Sequence, residues 1–94
     1  MVKIKLVKTT KRGDRFYQVW IINSQEYKTN STYEDLVVWD ADGQSVELDS
    51  IPGMVIGLAI DGYGPVMDGE EKGWTDDEFK DALIKDGYIA PGQI

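Results

Sequence analysis

The chain has 94 residues, 41% of them hydrophobic, and its ten basic and seventeen acidic side chains give a net charge of −7 with neither histidine nor cysteine. That length supports one core and one domain over residues 1–94. The missing residue types exclude disulfides, thiolate nucleophiles, cysteine-ligated zinc and the commonest general base at neutral pH.

The charge is segregated along the chain. Residues 1–28 hold seven cations (Lys3, Lys5, Lys8, Lys11, Arg12, Arg15, Lys28) against Asp14 and Glu26. Residues 29–94 hold only Lys72, Lys80 and Lys85 against fifteen carboxylates. A basic region is thus joined to an acidic remainder, an asymmetry that concerns what the protein attracts or repels rather than its fold.

Over residues 2–9, Val2, Ile4 and Leu6 alternate with Lys3 and Lys5, a period of two that puts apolar side chains on one face of a strand and lysines on the other. Lys11-Arg12-Gly13-Asp14 supplies a turn, and Arg15–Ile22, rich in aromatic and β-branched residues, returns as the second strand of a basic hairpin. Asn23-Ser24 turns the chain again into a weaker third strand at residues 25–29. Ser31-Thr32-Tyr33-Glu34 has capping-box spacing, but Leu36-Val37-Val38-Trp39 is a run that strands prefer, so a strand is expected from Leu36.

Asp42-Gly43 favours the positive-φ geometry of a hairpin turn, which makes residues 45–48 the expected returning strand. Residues 51–60 read two ways. Ile51, Met54, Val55 and Leu58 fit a helix face, whereas Gly53 and Gly57 weaken a helix and leave a buried strand slightly preferred. Residues 61–73, with four glycines and a proline, read as a loop or lid. Thr75-Asp76-Asp77-Glu78 is a capping box that opens a helix running to about Asp86, with Phe79, Ala82 and Leu83 inward, Gly87 as the left-handed terminator and Trp74 packing on Phe79.

These elements imply an α+β domain: an antiparallel, hairpin-rich sheet of four to five strands with one C-terminal helix packed on one face. The expected core is Ile4, Leu6, Trp20, Ile22, Val38, Leu58, Phe79 and Leu83. The longest apolar run, residues 53–60, is far short of the roughly twenty residues that span a bilayer. Lys3, Lys5 and Lys8 interrupt any signal-peptide core, so a cytoplasmic location is expected.

Among possible chemistries, no pair or triad meets the geometric requirements of catalysis even in outline, and no enzyme, cofactor or metal site is expected. Asp40-Ala41-Asp42-Gly43 faintly suggests a calcium loop, but the EF-hand pattern wants glycine sixth and glutamate twelfth, and here Gly43 is fourth and Ile51 twelfth. The glycines of residues 57–73 match neither phosphate-loop nor dinucleotide spacing.

Two charged surfaces remain. Asp61, Tyr63, Asp68, Glu70, Glu71, Trp74, Asp76, Asp77, Glu78 and Asp81 crowd into a short stretch and suit a protein that occupies the cationic groove of a nucleic-acid-binding protein by mimicking its phosphates. The leading expectation is therefore a non-enzymatic acidic binding protein that engages and inhibits a basic partner. Phage-encoded inhibitors of host defence offer an analogy of size and charge alone. The blander alternative is a solubilising surface.

The other surface is the basic hairpin. Lys3, Lys5, Lys11, Arg12 and Arg15 with Tyr17, Phe16 and Trp20 nearby have the composition of a stacking platform with a cationic rim for single-stranded nucleic acid. Lysines that protect a sheet edge would look the same, and the net charge of −7 opposes an approaching phosphate backbone. A third possibility is self-assembly, in which the basic end of one copy meets the acidic end of the next.

Overall fold

The computed structural model describes residues 1–90. Strand β1 (Val2–Arg12) pairs antiparallel with β2 (Arg15–Ile22), β2 with β3 (Gln25–Ser31), and β3 with β4 (Leu36–Asp40). A short β5 (Glu71–Trp74) adds antiparallel to the free edge of β1, giving the order β4-β3-β2-β1-β5. Helices α1 (Ile51–Leu58) and α2 (Asp76–Lys85) join one face of this sheet in a single core.

The alternation in β1 works as expected as far as Leu6, with Val2, Ile4 and Leu6 buried. A β-bulge between Leu6 and Lys8 then slips the register by one residue, leaving Val7 unpaired and 40% exposed, so that Lys8 lies opposite Val19. Asn23 and Ser24 both take left-handed backbone angles, as a two-residue hairpin turn demands, and Asn23 is fastened to β1 at both ends. Its amide donates to the Lys3 carbonyl and its Oδ1 accepts from the Lys3 amide, both at 3.0 Å. Buried Trp20 is satisfied by donating its indole N–H to Thr29 Oγ1 at 3.0 Å.

Four sequence expectations are corrected. Residues 45–48 form no strand: the Asp40 turn closes, with Oδ1 accepting from Asp42 and Gln44 amides, but only Ser45 bridges back to Trp39. The chain then enters the cap of a helix. Residues 51–58 are that helix, not a strand, because Ser50 caps the Gly53 amide at 3.3 Å and Pro52 sits in the first turn, where its missing N–H costs nothing. The two glycines that argued against a helix permit close packing instead: a Cβ on Gly53 would lie 2.7 Å from Leu48 Cα, and one on Gly57 would strike the Tyr88 hydroxyl.

Residues 61–73 are not all loop, since Ala59–Tyr63 is a π-helical turn broken at Gly62 and Glu71–Trp74 is β5. The turn between them is held to β1 by the Gly69 amide on the Leu6 carbonyl and the Leu6 amide on the Glu70 carbonyl, at 2.7 and 3.0 Å. The sheet consequently has two helices on its inner face rather than one.

The C-terminal helix follows its sequence signals. Thr75 Oγ1 accepts from the Glu78 amide at 3.2 Å while Glu78 Oε1 accepts from the Thr75 amide at 3.1 Å. Gly87, at φ +83°, ends it, and the Tyr88 amide donates to the Leu83 carbonyl at 2.9 Å. Seven of the eight expected core residues are buried, and Phe79 is half-buried with its ring 6.0 Å from that of Trp74. Val2, Tyr27, Val55, Ile56, Ala59, Trp74 and Ala82 complete the core. No helix among the described residues is long and apolar enough to cross a membrane.

Candidate nucleic-acid interface on the open face of the sheet

The helices cover one face of the sheet; the other is open. Strand alternation and the pairing register decide which side chains it presents. Trp20 and Ile22 face inward on β2, so Arg15, Tyr17, Val19 and Ile21 face outward. Their cross-strand partners share that face: Arg12, Thr10, Lys8 and Lys5 on β1, and Asn30, Lys28 and Glu26 on β3. Val37 and Trp39 of β4 lie opposite Asn30 and Lys28, and Glu71 of β5 lies opposite Lys5.

The result is a basic and aromatic surface. Lys3, Lys5, Lys8, Arg12, Arg15 and Lys28 stand on it against two carboxylates, Glu26 and Glu71. Among the described residues the only ion pair joins the N-terminal amine to Asp76, so these six cations have no carboxylate partner. Arg15 alone is engaged, donating from Nη1 to Asn30 Oδ1 at 3.2 Å.

The residues form ordered rows across the strands. Trp39, Lys28, Val19 and Lys8 make one row; Val37, Asn30, Tyr17 and Thr10 make the next; Arg15 and Arg12 close the hairpin tip. A groove of about 340 Å³ runs between Tyr17 and Trp39, floored by Val19 and bordered by Lys8 and Lys28. A second, of about 360 Å³, lies against Tyr17, Thr10 and Arg12.

This arrangement adds to the sequence-level set and prunes it. Lys3, Lys5, Arg12, Arg15 and Tyr17 fall on the open face as one surface. Lys11 does not: it pairs with Phe16 on the inner side, its Nζ 5.5 Å from the Phe16 ring centroid. Phe16 and the fully buried Trp20 are likewise no part of the platform. Lys8, Lys28 and Trp39 join it from positions that the hairpin alone could not bring together.

The acidic set is gathered only in part, Tyr63, Trp74, Glu78 and Asp81 lining one hollow beside Lys72 and Lys85, and much of it has internal tasks. Glu70 Oε2 accepts from the Val66 and Met67 amides at 2.8 and 2.9 Å, bonds that hold its carboxyl below the usual range. Glu78 is lowered likewise by its hydrogen bonds to Thr75 in the capping box. Asp76 lies 3.3 Å from the N-terminal amine, and Tyr63 is half-buried against the core. Trp74, expected as a contact residue, is 4% exposed: its indole is a core side chain at the β5 end that borders this hollow. Glu71 is on the basic face, and Asp68, Asp77 and Asp81 are exposed without a hydrogen bond.

Asp61 is paired with Asp86 at the C-terminal end of α2. Burial, the hydrogen bond to Asp61 and the Asp61 charge push the Asp86 carboxyl up to about 6. One Asp86 oxygen is buried without a partner, and the nearby Tyr88 hydroxyl is raised by burial and by both carboxylates. Below that value the protonated pair joins α2 to the turn after α1. Among the described residues no group of three or more acidic side chains is placed to hold a metal ion.

The chain matches no protein-family model, no curated protein and no solved structure.

Proposed function

We propose that the protein binds single-stranded nucleic acid on the open face of its sheet. The observation that carries this is the gathering, on one face, of six cations without carboxylate partners, four of which, Lys8, Lys28, Arg12 and Arg15, flank Tyr17 and Trp39. Cations suit a phosphate backbone and exposed rings suit unpaired bases. A duplex fits poorly, since five strands at about 4.8 Å spacing make a face some 19 Å wide, against a major groove of about 12 Å.

The overall charge of −7 does not defeat the binding at physiological salt. The Debye length there is about 8 Å, so carboxylates beyond the helical layer are largely screened from a ligand on the far face. The experiment is titration with a fluorescently labelled single-stranded oligonucleotide at about 50 mM salt, read by anisotropy and by tryptophan emission. Trp39 is the one tryptophan that is not buried, Trp20 and Trp74 being 1% and 4% exposed. Saturable anisotropy with quenching that vanishes in Trp39→Phe is the expected result; flat anisotropy at micromolar protein removes the proposal.

A second reading assigns the helical side to a basic protein partner, which the protein would inhibit. It is supported by Asp68, Asp77 and Asp81, which are exposed and carry no internal hydrogen bond. Their combined change to lysine abolishes capture of such a partner if this reading holds, and unchanged capture eliminates it.

A further inference from the structure

The two grooves on the open face share a wall. Tyr17 and its cross-strand partner Thr10 line both of them, so the pair forms a ridge between the Trp39 side and the Arg12 side. The rows around this ridge alternate in chemistry. One step of two residues, about 6.8 Å, separates the Lys8/Lys28 row from the Tyr17/Thr10 row, and a second step leads to Arg12 and Arg15. Cation, ring, cation is therefore the order along the strands.

Across the sheet, Trp39 is two strands from Tyr17 and one row away, which puts their Cα atoms about 12 Å apart. Two rings leaning together over that distance leave room for one planar base between them. The Arg12 side is bounded by the same ring but has no second aromatic wall.

We infer that the face holds a dinucleotide step, with one base on each side of Tyr17. This rests on the nucleic-acid reading and gives it a length and a geometry. The first base lies between Trp39 and Tyr17, with its phosphate on Lys8 and Lys28; the second lies against the other side of Tyr17, with its phosphate on Arg12 and Arg15. Putting a protein ring between neighbouring bases unstacks them, which a flexible single strand permits and a duplex does not.

The test is isothermal titration calorimetry at about 50 mM salt with 5′-phosphorylated deoxythymidine oligomers of one, two, three and eight nucleotides. Affinity is expected to rise by on the order of tenfold to a hundredfold from one nucleotide to two, the worth of one added base–aromatic stack, and only gradually beyond two. Tyr17→Ala erases that step, while Tyr17→Phe, which keeps the ring, retains it. Tyr17 is 41% exposed, so both changes leave the core intact. Trp39→Ala weakens the mononucleotide and the dinucleotide by the same factor.

Equal gains per nucleotide with no break at two, or a break that survives Tyr17→Ala, overturn the two-base site while leaving electrostatic binding to the face in place. Failure of every oligomer, the eight-nucleotide one included, overturns the nucleic-acid reading itself.

Discussion

Replacing Lys8 and Lys28 together by alanine tests the electrostatic argument by its slope rather than by a single affinity. If all six cations of the open face meet phosphates, counterion release gives log K against log salt a slope near −4, at about −0.7 per phosphate for a single strand. Between 50 and 200 mM salt that costs roughly 300-fold in affinity. The double variant loses two contacts, so its slope falls to about −2.8 and the same change of salt costs roughly 50-fold. Glu71 lies opposite Lys5 and partly neutralises it, which makes these upper limits. At 10 mM the Debye length is about 30 Å, longer than the 24 and 26 Å short dimensions of the molecule. The carboxylates of the helical side are then felt at the open face, and the plot flattens instead of rising further. Anisotropy titrations at five salt concentrations measure all of this. An unchanged slope in the double variant refutes the assignment of Lys8 and Lys28 as phosphate contacts.

Three further outcomes follow from the fold. Gly53→Ala destabilises by about 1–3 kcal/mol in urea unfolding despite alanine's advantage of roughly 1 kcal/mol in helices, because its Cβ would lie 2.7 and 2.9 Å from Leu48 backbone atoms; a stabilised variant shows the packing to be looser. Asp86 holds its proton more tightly folded, up to about 6, than at its ordinary value of 3.8. Its contribution is therefore complete below pH 4 and lost as pH rises to about 6, so thermal melts of Asp86→Asn and the parent differ in slope across that window and run parallel above it. Thr75→Ala removes half of the capping box and lowers stability by about 1 kcal/mol; unfolding at the parental midpoint shows that the cap is not used.

Much of the architecture was legible because local signals agreed with the tertiary outcome. Val2, Ile4 and Leu6 alternate because one face of β1 is buried, and Thr75 with Glu78 marks the start of α2 because the two groups satisfy each other. The elements misjudged are those whose character is set from outside. Strand β5 reads Glu-Lys-Gly-Trp and has no alternation to detect; it is a strand because β1 offers it an edge. Helix α1 is apolar nearly all round, so periodicity could not separate it from a buried strand, and its glycines answer to Leu48 and Tyr88. The same holds for the candidate site. Charge composition identified the hairpin, but uniting Lys28 and Trp39 with Lys8 requires the strand order β4-β3-β2-β1, which no stretch of sequence carries. The internal tasks of Glu70 and Glu78 were not legible because a carboxylate that caps an amide is indistinguishable, in sequence, from one that meets a partner.

The bulge at Val7 decides which cations belong to the open face. Lys3 and Lys5 are odd-numbered, whereas Lys8 and Arg12 are even, and both pairs point the same way only because one extra residue intervenes. Deleting Val7 would remove the bulge and leave Leu6 and Lys8 as consecutive residues opposite Trp20 and Val19, so both pairs of cations would keep the open face on a regularly pleated strand. The change that breaks the pattern is straightening the bulge with Val7 still in place, which would turn Lys8 and Arg12 to the buried side. The bulge thus lets one strand switch the parity of its charged positions at residue 7 and still show one charge pattern to the outside and one oily pattern to the inside.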